Sequence, residues 1–340
     1  MRFNWKQICL AVAAMAILVL PRAANATSCT SQAQLQPQDR DALMGAAGRL
    51  GEAVAGQDYS ALQGALLPAV ATDWEGIRAA VEQTASLLKG GQLQLRNIYL
   101  LDANSLTAPT DTQFFCSNAN GSMTVTISMR ALPPGRYAVV LGDSAGSPYG
   151  GHLSIILAWA GVGATGAWKL GGVSVRPGFF DGHDGVWYWS QARELARGDA
   201  KSEARFDSWS AWFSYEVAKM LLIPVDFLSS PNLEKLGQEQ SAIRNSPQDA
   251  FPLTVADGDR TWKIDSVKLD PTLLHADLGV VFESTGVTDP AAQKTEAIAV
   301  LSALLKVQPG LRGNFHGLWA YANKDGKQTP VIELPMAQIP

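Results

Sequence analysis

The segment "GHDGVWYWSQARELARG" (residues 182–198) places a histidine and an aspartate beside three aromatic residues. An imidazole next to a carboxylate is a pairing that general acid–base catalysis uses. Glycines flank the pair on both sides, which is typical of a turn. Asp184 also precedes an apolar pattern with helical spacing, where its carboxylate can accept an early backbone N–H at the positive helix end. We therefore predict that Asp184 caps a helix and that His183 lies on an exposed turn, with a catalytic pair as the alternative.

The other histidines do not form a recognisable metal motif. The four are His152, His183, His275 and His316, and the sequence contains no HExxH or CxxC pattern. The sequence thus predicts no metal site and no cofactor. His275 and His316 fall on predicted strands of one C-terminal unit, where a joint site is the alternative to two ordinary strand histidines.

The chain has ten tryptophans, which are spread along most of its length. Packing within and between domain cores explains such a distribution. The alternative is a set of aromatic platforms for a sugar or peptide. The candidate binding aromatics are Trp187, Trp189, Trp209, Trp212 and Tyr215.

The N-terminus has the pattern of a secretory signal peptide. Arg2 and Lys6 precede the apolar run at 8–20, Pro21 breaks that run, and "ANA" at 24–26 provides small residues at a cleavage site. We predict a signal peptide over 1–26 and a periplasmic or secreted mature protein without a later membrane span. The alternative is an uncleaved N-terminal anchor.

Cleavage after residue 26 leaves two cysteines, Cys29 and Cys116. Two cysteines in an oxidising compartment favour one disulfide. The alternatives are two unpaired thiols, or a lipid anchor on Cys29.

Composition places the chain among ordinary globular proteins. It has 340 residues, of which 47% are hydrophobic and 17% are charged. The formal net charge of −4 falls to −7 when Arg2, Lys6 and Arg22 are removed. This acidic balance, without a Lys/Arg run, argues against a nucleic-acid partner.

The periodicity of the apolar residues changes along the chain. Apolar residues recur at helical spacing from 37 to 89, and they alternate with a period of two from 92 to 176. Helices followed by an antiparallel sheet predict an α+β fold. The final strand contains Trp168-Lys169-Leu170.

This element order and the closing "WKL" strand resemble the cone-shaped fold of nuclear transport factor 2 and ketosteroid isomerase over residues 37–177. The resemblance implies helices packed on a curved sheet. That family includes isomerases, dehydratases and domains without catalysis, so it implies no single function. An enzyme of this type acting on a small hydrophobic molecule would need a carboxylate base, for which Asp102 and Asp143 are candidates. The sequence around both residues fits a turn-forming role better than that of a catalytic base.

Residues 182–240 predict a helical pair. Ala211, Tyr215 and Ala218 in the second helix, with Pro224 soon after, resemble the second helix of a tetratricopeptide repeat. The long link between the helices and the absence of a second copy depart from that repeat. The block from "GHDGVWYW" to "PVDFLSSPNLEKL" is also similar to a segment of uncharacterised secreted bacterial proteins.

Residues 229–260 contain few large apolar residues, and we interpret them as a helix end and a connection. From 261 to 340 the pattern predicts a small ββαββ unit, whose helix begins at Asp289 and Pro290.

The sequence therefore predicts a non-catalytic extracytoplasmic protein that binds a peptide or protein partner. Its oligomeric state is not indicated. The alternative is the cone-domain enzyme, of isomerase or hydrolase type.

Overall fold

A computed structural model describes residues 27–117, 120–121, 124–162, 165–197, 207–272 and 274–340. The predicted signal peptide lies outside these residues. The fold combines helices with largely antiparallel sheets, which confirms the α+β class.

The helices occur in three groups along the chain. Their bounds are α1 Pro37–Ala55, α2 Tyr59–Ala65, α3 Trp74–Thr84, α4 Gly185–Arg197, α5 Ser208–Leu222, α6 Pro231–Ser241, α7 Pro290–Val307 and α8 Leu311–Asn314. The strands are β1 Ser28–Ser31, β2 Gln92–Asp102, β3 Thr110–Ser117, β4 Thr124–Leu132, β5 Arg136–Ala145, β6 His152–Val162, β7 Thr165–Arg176, β8 Phe179–Phe180, β9 His183–Asp184, β10 Leu228–Ser229, β11 Leu253–Asp257, β12 Arg260–Leu269, β13 Asp277–Glu283, β14 Gly317–Lys324 and β15 Lys327–Pro335.

The first sheet has the order β1-β2-β5-β6-β7, and all its strand pairs are antiparallel. Successive side chains of a strand point to opposite faces. Ile98 of β2, Val140 of β5 and Ile155 of β6 share one face and pack with Leu43 of α1 in a common core. The alternating pattern of this sheet is therefore explained by helices α1 to α3 covering one side.

A second, smaller sheet has the order β10-β4-β3. Phe114 of β3 and Ile127 of β4 are buried with Val139, which lies on the face of β5 opposite the helices. Val225, just after α5, enters the same core. The first sheet is therefore enclosed on its second face by the small sheet and by the chain that leaves α5.

The predicted disulfide is present. Cys29 of β1 is bonded to Cys116 of β3, with the two Cα atoms 5.1 Å apart, so the bond joins the two sheets. A sulfur in this bond cannot also carry a lipid thioether. The structure thus argues against the alternative of a lipid anchor on Cys29.

The central helices α4, α5 and α6 follow the two-stranded hairpin β8-β9. Helix α5 is buried around most of its circumference, including Trp209, Phe213 and Val217. A helix with apolar residues on all sides needs partners on all sides. Helix α5 accordingly belongs to the core shared with the C-terminal sheet.

The C-terminal sheet has the order β11-β12-β13-β14-β15. Strands β13 and β14 are parallel, and the chain between them forms α7 and α8. Asp289 caps α7 by accepting from the Ala292 N–H at 2.8 Å, and Pro290 occupies the first turn.

Two expectations for 229–260 are wrong. This region contains helix α6 as well as strand β11, which pairs with β12. The C-terminal sheet therefore starts at Leu253 instead of 261 and has one strand more than the predicted four. Among the described residues, no helix combines the length and apolarity needed to cross a membrane.

The disulfide should contribute strongly to stability. The two cysteines are 87 residues apart in sequence. The chain-entropy model gives about 4.6 kcal/mol for closing a loop of that size. We expect a Cys29→Ala, Cys116→Ala double variant to lose about this much in urea unfolding. Addition of reductant should lower the stability of the parent protein but leave that of the double variant unchanged. Two freely alkylated thiols in unreduced native protein would contradict the bond.

Candidate binding cleft between the central helices

Helices α4 and α5 pack closely because small residues lie between them. Gly185 begins α4 against the end of α5, where an added Cβ would lie only 2.6 Å from Leu222 Cγ. Ala192 of α4 and Ala218 of α5 are completely buried in the same core. The start of one helix lies beside the end of the other, so the pair is antiparallel.

The predicted cap of α4 is confirmed. Asp184 Oδ1 accepts a hydrogen bond from the Trp187 N–H at 2.8 Å. His183 is half-buried in strand β9, and its ring stacks on Trp187 with ring centroids 3.7 Å apart. The expectation that His183 lies on an exposed turn is therefore wrong, because the hairpin and the tryptophan hold it. The cap geometry favours a structural role for Asp184 over the catalytic pair.

One carboxylate connects all three central helices. Glu239 of α6 accepts two hydrogen bonds from Arg193 of α4, from Nε at 2.7 Å and from Nη2 at 2.9 Å. It also accepts from Trp189 Nε1 of α4 at 2.7 Å and from the Tyr215 hydroxyl of α5 at 3.3 Å. The Arg193 guanidinium carbon lies 4.2 Å from the Trp189 ring centroid. We call these four residues the Glu239 network.

The electrostatics of the Glu239 network follow from its donors. Hydrogen bonding by Arg193 is the main cause that lowers the pKa of Glu239. The same contact raises the pKa of Arg193. Burial, followed by the nearby Glu239 charge, raises the pKa of Tyr215 to about 12. Near neutral pH the network therefore contains a carboxylate, a guanidinium and a neutral phenol.

An open cleft of about 400 Å³ lies beside the Glu239 network. Its lining contains charged and apolar residues. The charged residues are members of the Glu239 network and two further arginines, and the apolar residues have small or branched side chains. The lining residues are Arg193, Ala196, Arg197, Tyr215, Glu239, Ala242, Ile243 and Arg244.

The described residues that line the cleft carry an excess of positive charge. Arg193 is engaged by Glu239, whereas Arg197 and Arg244 form no ion pair with any described residue. Arg197 lies in the last turn of α4, and Arg244 follows the end of α6. Cations are favoured near helix C-termini. The electrostatics of the helix ends therefore favour both arginines at these positions.

The five candidate aromatics separate into different environments. Trp209 and Trp212 lie in the core, 3% and 9% exposed, and offer little surface to a partner. Trp189 and Tyr215 belong to the Glu239 network, although only Tyr215 lines the cleft. Trp187 is 41% exposed but covered on one face by His183. The structure therefore does not bring the five together as one aromatic platform.

The two carboxylates proposed as catalytic bases also differ. Asp102 is exposed at the end of β2 and accepts from the Asn104 N–H at 2.9 Å, as a turn former does. Asp143 is a residue of strand β5, so its interpretation as a turn former is wrong. It contacts His152 Nδ1 at 2.6 Å and accepts from Arg96 Nε at 3.1 Å. Sequence reasoning treated Asp143 and His152 separately because their pairing depends on strand register.

His275 and His316 do come together. Their rings stack with centroids 3.7 Å apart, and each ring contacts one carboxylate through Nδ1. His275 lies 2.5 Å from Asp181, and His316 lies 2.9 Å from Asp277. Asp181 also accepts from the Ala276 N–H at 3.0 Å, so it joins the β8-β9 hairpin to the C-terminal sheet. Neither histidine lines the cleft beside the Glu239 network.

The candidate site residues that the sequence did not identify are Arg193, Arg197, Glu239 and Arg244. Glu239 was missed because α6 was not predicted. Its start did carry a signal, since Ser230 is followed by Pro231, and Ser230 accepts from the Leu233 N–H. Within the described residues, no group of three or more His, Cys, Asp or Glu side chains is arranged to hold a metal ion.

Comparison with known proteins finds no matching family model, no matching curated protein and no matching solved structure.

The cap can be tested with a matched pair of substitutions. Asparagine caps helices about as well as aspartate, whereas alanine at such a position costs about 1 kcal/mol. We expect Asp184→Asn to leave the free energy of unfolding almost unchanged and Asp184→Ala to lower it by about this amount. Urea unfolding of both variants measures the difference. Equal and large losses for the two variants would show a contact that depends on the charge instead of on the cap.

Proposed function

We propose that this protein is a non-catalytic extracytoplasmic binding protein and that its partner is a peptide or protein bound in the cleft between α4, α5 and α6. The observation that carries this proposal is the cleft itself, which combines apolar walls with charged groups held by the Glu239 network. Binding sites commonly combine an apolar lining with a few oriented polar groups. The disulfide supports an oxidising compartment. We propose the periplasm or the outside of the cell as its location.

The scaffold is part of the same proposal. Helices α1 to α3 on one face of an antiparallel sheet support the resemblance to nuclear transport factor 2. The antiparallel α4–α5 pair supports a tetratricopeptide-like hairpin. Helix α6 packs against this pair. The order β12, β13, α7, β14, β15 supports a ββαββ unit, to whose sheet β11 adds a fifth strand.

A cone-domain enzyme is the second candidate. One observation favours it, because the Asp143–His152 pair borders a cavity of about 220 Å³ with Leu221, Leu222 and Pro224 on its walls. Asp143 already accepts from Arg96, so in this reading it would orient His152, and the imidazole would be the base. The binding proposal ranks first because its cleft, of about 400 Å³, is larger than the cavity of about 220 Å³ beside His152.

The binding proposal can be tested by selecting partners without assuming their chemistry. A displayed library of random peptides would be panned against the immobilised protein, and the affinity of the enriched peptides would be measured. Ala242 is exposed and lines the cleft, so Ala242→Trp should fill it. We expect this variant to weaken binding at least about tenfold, the effect of about 1.4 kcal/mol.

Ala61→Trp is the control, because Ala61 is also an exposed alanine but lies on α2, outside the cleft. It should bind the selected peptides like the parent protein. Equal binding by both tryptophan variants would place the site outside the cleft. Turnover of a small substrate that His152→Ala abolishes would favour the enzyme instead.

A further inference from the structure

We infer that the cleft recognises a carboxylate group adjacent to an apolar side chain, with Arg197 and Arg244 as the residues that bind the carboxylate. This inference rests on the proposed function, since it names the chemistry that the same cleft selects. The partner would therefore be a peptide that presents either an acidic side chain or its C-terminal carboxylate.

The first argument is the charge of the lining. Three arginines and one glutamate line the cleft. The glutamate already accepts from Arg193, Trp189 and Tyr215, so its charge is committed to the helix contacts. Among the described residues, neither Arg197 nor Arg244 has a carboxylate partner, in a chain whose formal net charge is −4. An anionic partner would complete this arrangement.

The second argument is the geometry of guanidinium recognition. Arginine presents paired N–H donors that match the two oxygens of a carboxylate. Arg193 and Glu239 show this bidentate pairing within the same cleft. Arg197 lies one helical turn beyond Arg193 on α4, so the two side chains share a face of the helix.

The third argument is the apolar part of the lining. Ala196, Ala242 and Ile243 border the cleft together with the buried Tyr215. Ile243 also packs against the core below, which fixes this wall. A small hydrated anion would gain nothing from these residues. A carboxylate next to an apolar side chain would contact both parts of the lining.

The test uses defined peptides with a dansyl group. One pair is amidated at the C-terminus and carries an internal glutamate or glutamine between two leucines. A second pair ends in leucine, as the free acid or as the amide. We expect at least one acid peptide to bind about tenfold or more tightly than its neutral partner, as measured by fluorescence anisotropy. The pair that shows the difference identifies the source of the carboxylate.

The arginines are tested by Arg197→Ala and Arg244→Ala, with Arg49→Ala on α1 as the matched control. Arg49 is exposed and lies outside the cleft. Each cleft substitution should lower the affinity for the acid peptide about tenfold and leave the affinity for its neutral counterpart unchanged. The control substitution should change neither affinity. Melting curves of all variants separate a loss of binding from a loss of folding.

Three outcomes would overturn the inference. Equal binding of acid and neutral peptides would be consistent with a peptide-binding function but would show that the cleft does not recognise the carboxylate. Lower melting temperatures of Arg197→Ala and Arg244→Ala without a change in acid-peptide affinity would assign both arginines to the helix ends alone. Displacement of the acid peptide by millimolar phosphate but not by acetate would indicate a phosphate site. Failure of every peptide, including those selected from the library, would instead refute the proposed function.

Discussion

The carboxylate of Glu239 is the contact that joins helix α6 to helices α4 and α5. Its four hydrogen bonds come from two helices, and it lies on a third. Helix α6 has eleven residues, and isolated helices of this length are marginal in water. Its buried apolar contribution is small, since Leu236 is its one fully buried large apolar residue. The polar contacts of Glu239, together with the hydrogen bond from Gln240 to the Trp212 carbonyl of α5, therefore hold α6 beside the cleft.

The central helices α4, α5 and α6 are attached both to the first sheet and to the C-terminal sheet. On the side of the first sheet, Arg176 donates to the Ile223 carbonyl at 3.1 Å and to Asp226 at 2.7 Å. On the side of the C-terminal sheet, Asp181 contacts His275 and the Ala276 N–H. Asp181 adopts a left-handed backbone conformation with φ of 51°, and this brings its carboxylate to the neighbouring sheet. These contacts attach the chain on either side of the central helices to the two sheets.

The features that sequence reasoning predicted correctly are local ones. The Asp184 cap and the start of α7 at Asp289 depend on residues within one turn of the helix. The disulfide could be predicted because the predicted cleavage leaves only two cysteines. In each case the nearby sequence, or a simple count, contains the physical cause.

The features that were missed depend on tertiary structure. Asp143 resembles a turn former in a glycine-rich segment, yet pairing with β6 extends the strand through it. His275 and His316 meet only because β13 and β14 pair in parallel across α7. Helix α6 has weak apolar periodicity because its contacts with the other helices are largely polar. No local pattern indicates that Glu239 would lie among Arg193, Trp189 and Tyr215.

The most direct test of this account is a double-mutant cycle between Arg193→Met and Glu239→Gln, measured by urea unfolding across pH. We predict a stabilising coupling of about 1–2 kcal/mol near neutral pH, as expected for a bidentate pair that is partly buried. Folding lowers the pKa of Glu239, so this stability is present above the ordinary carboxyl range and is lost as pH falls through the folded-state value. A coupling near zero at neutral pH, or one that does not change on acidification, would contradict the role of Glu239 as the contact that holds the three helices together.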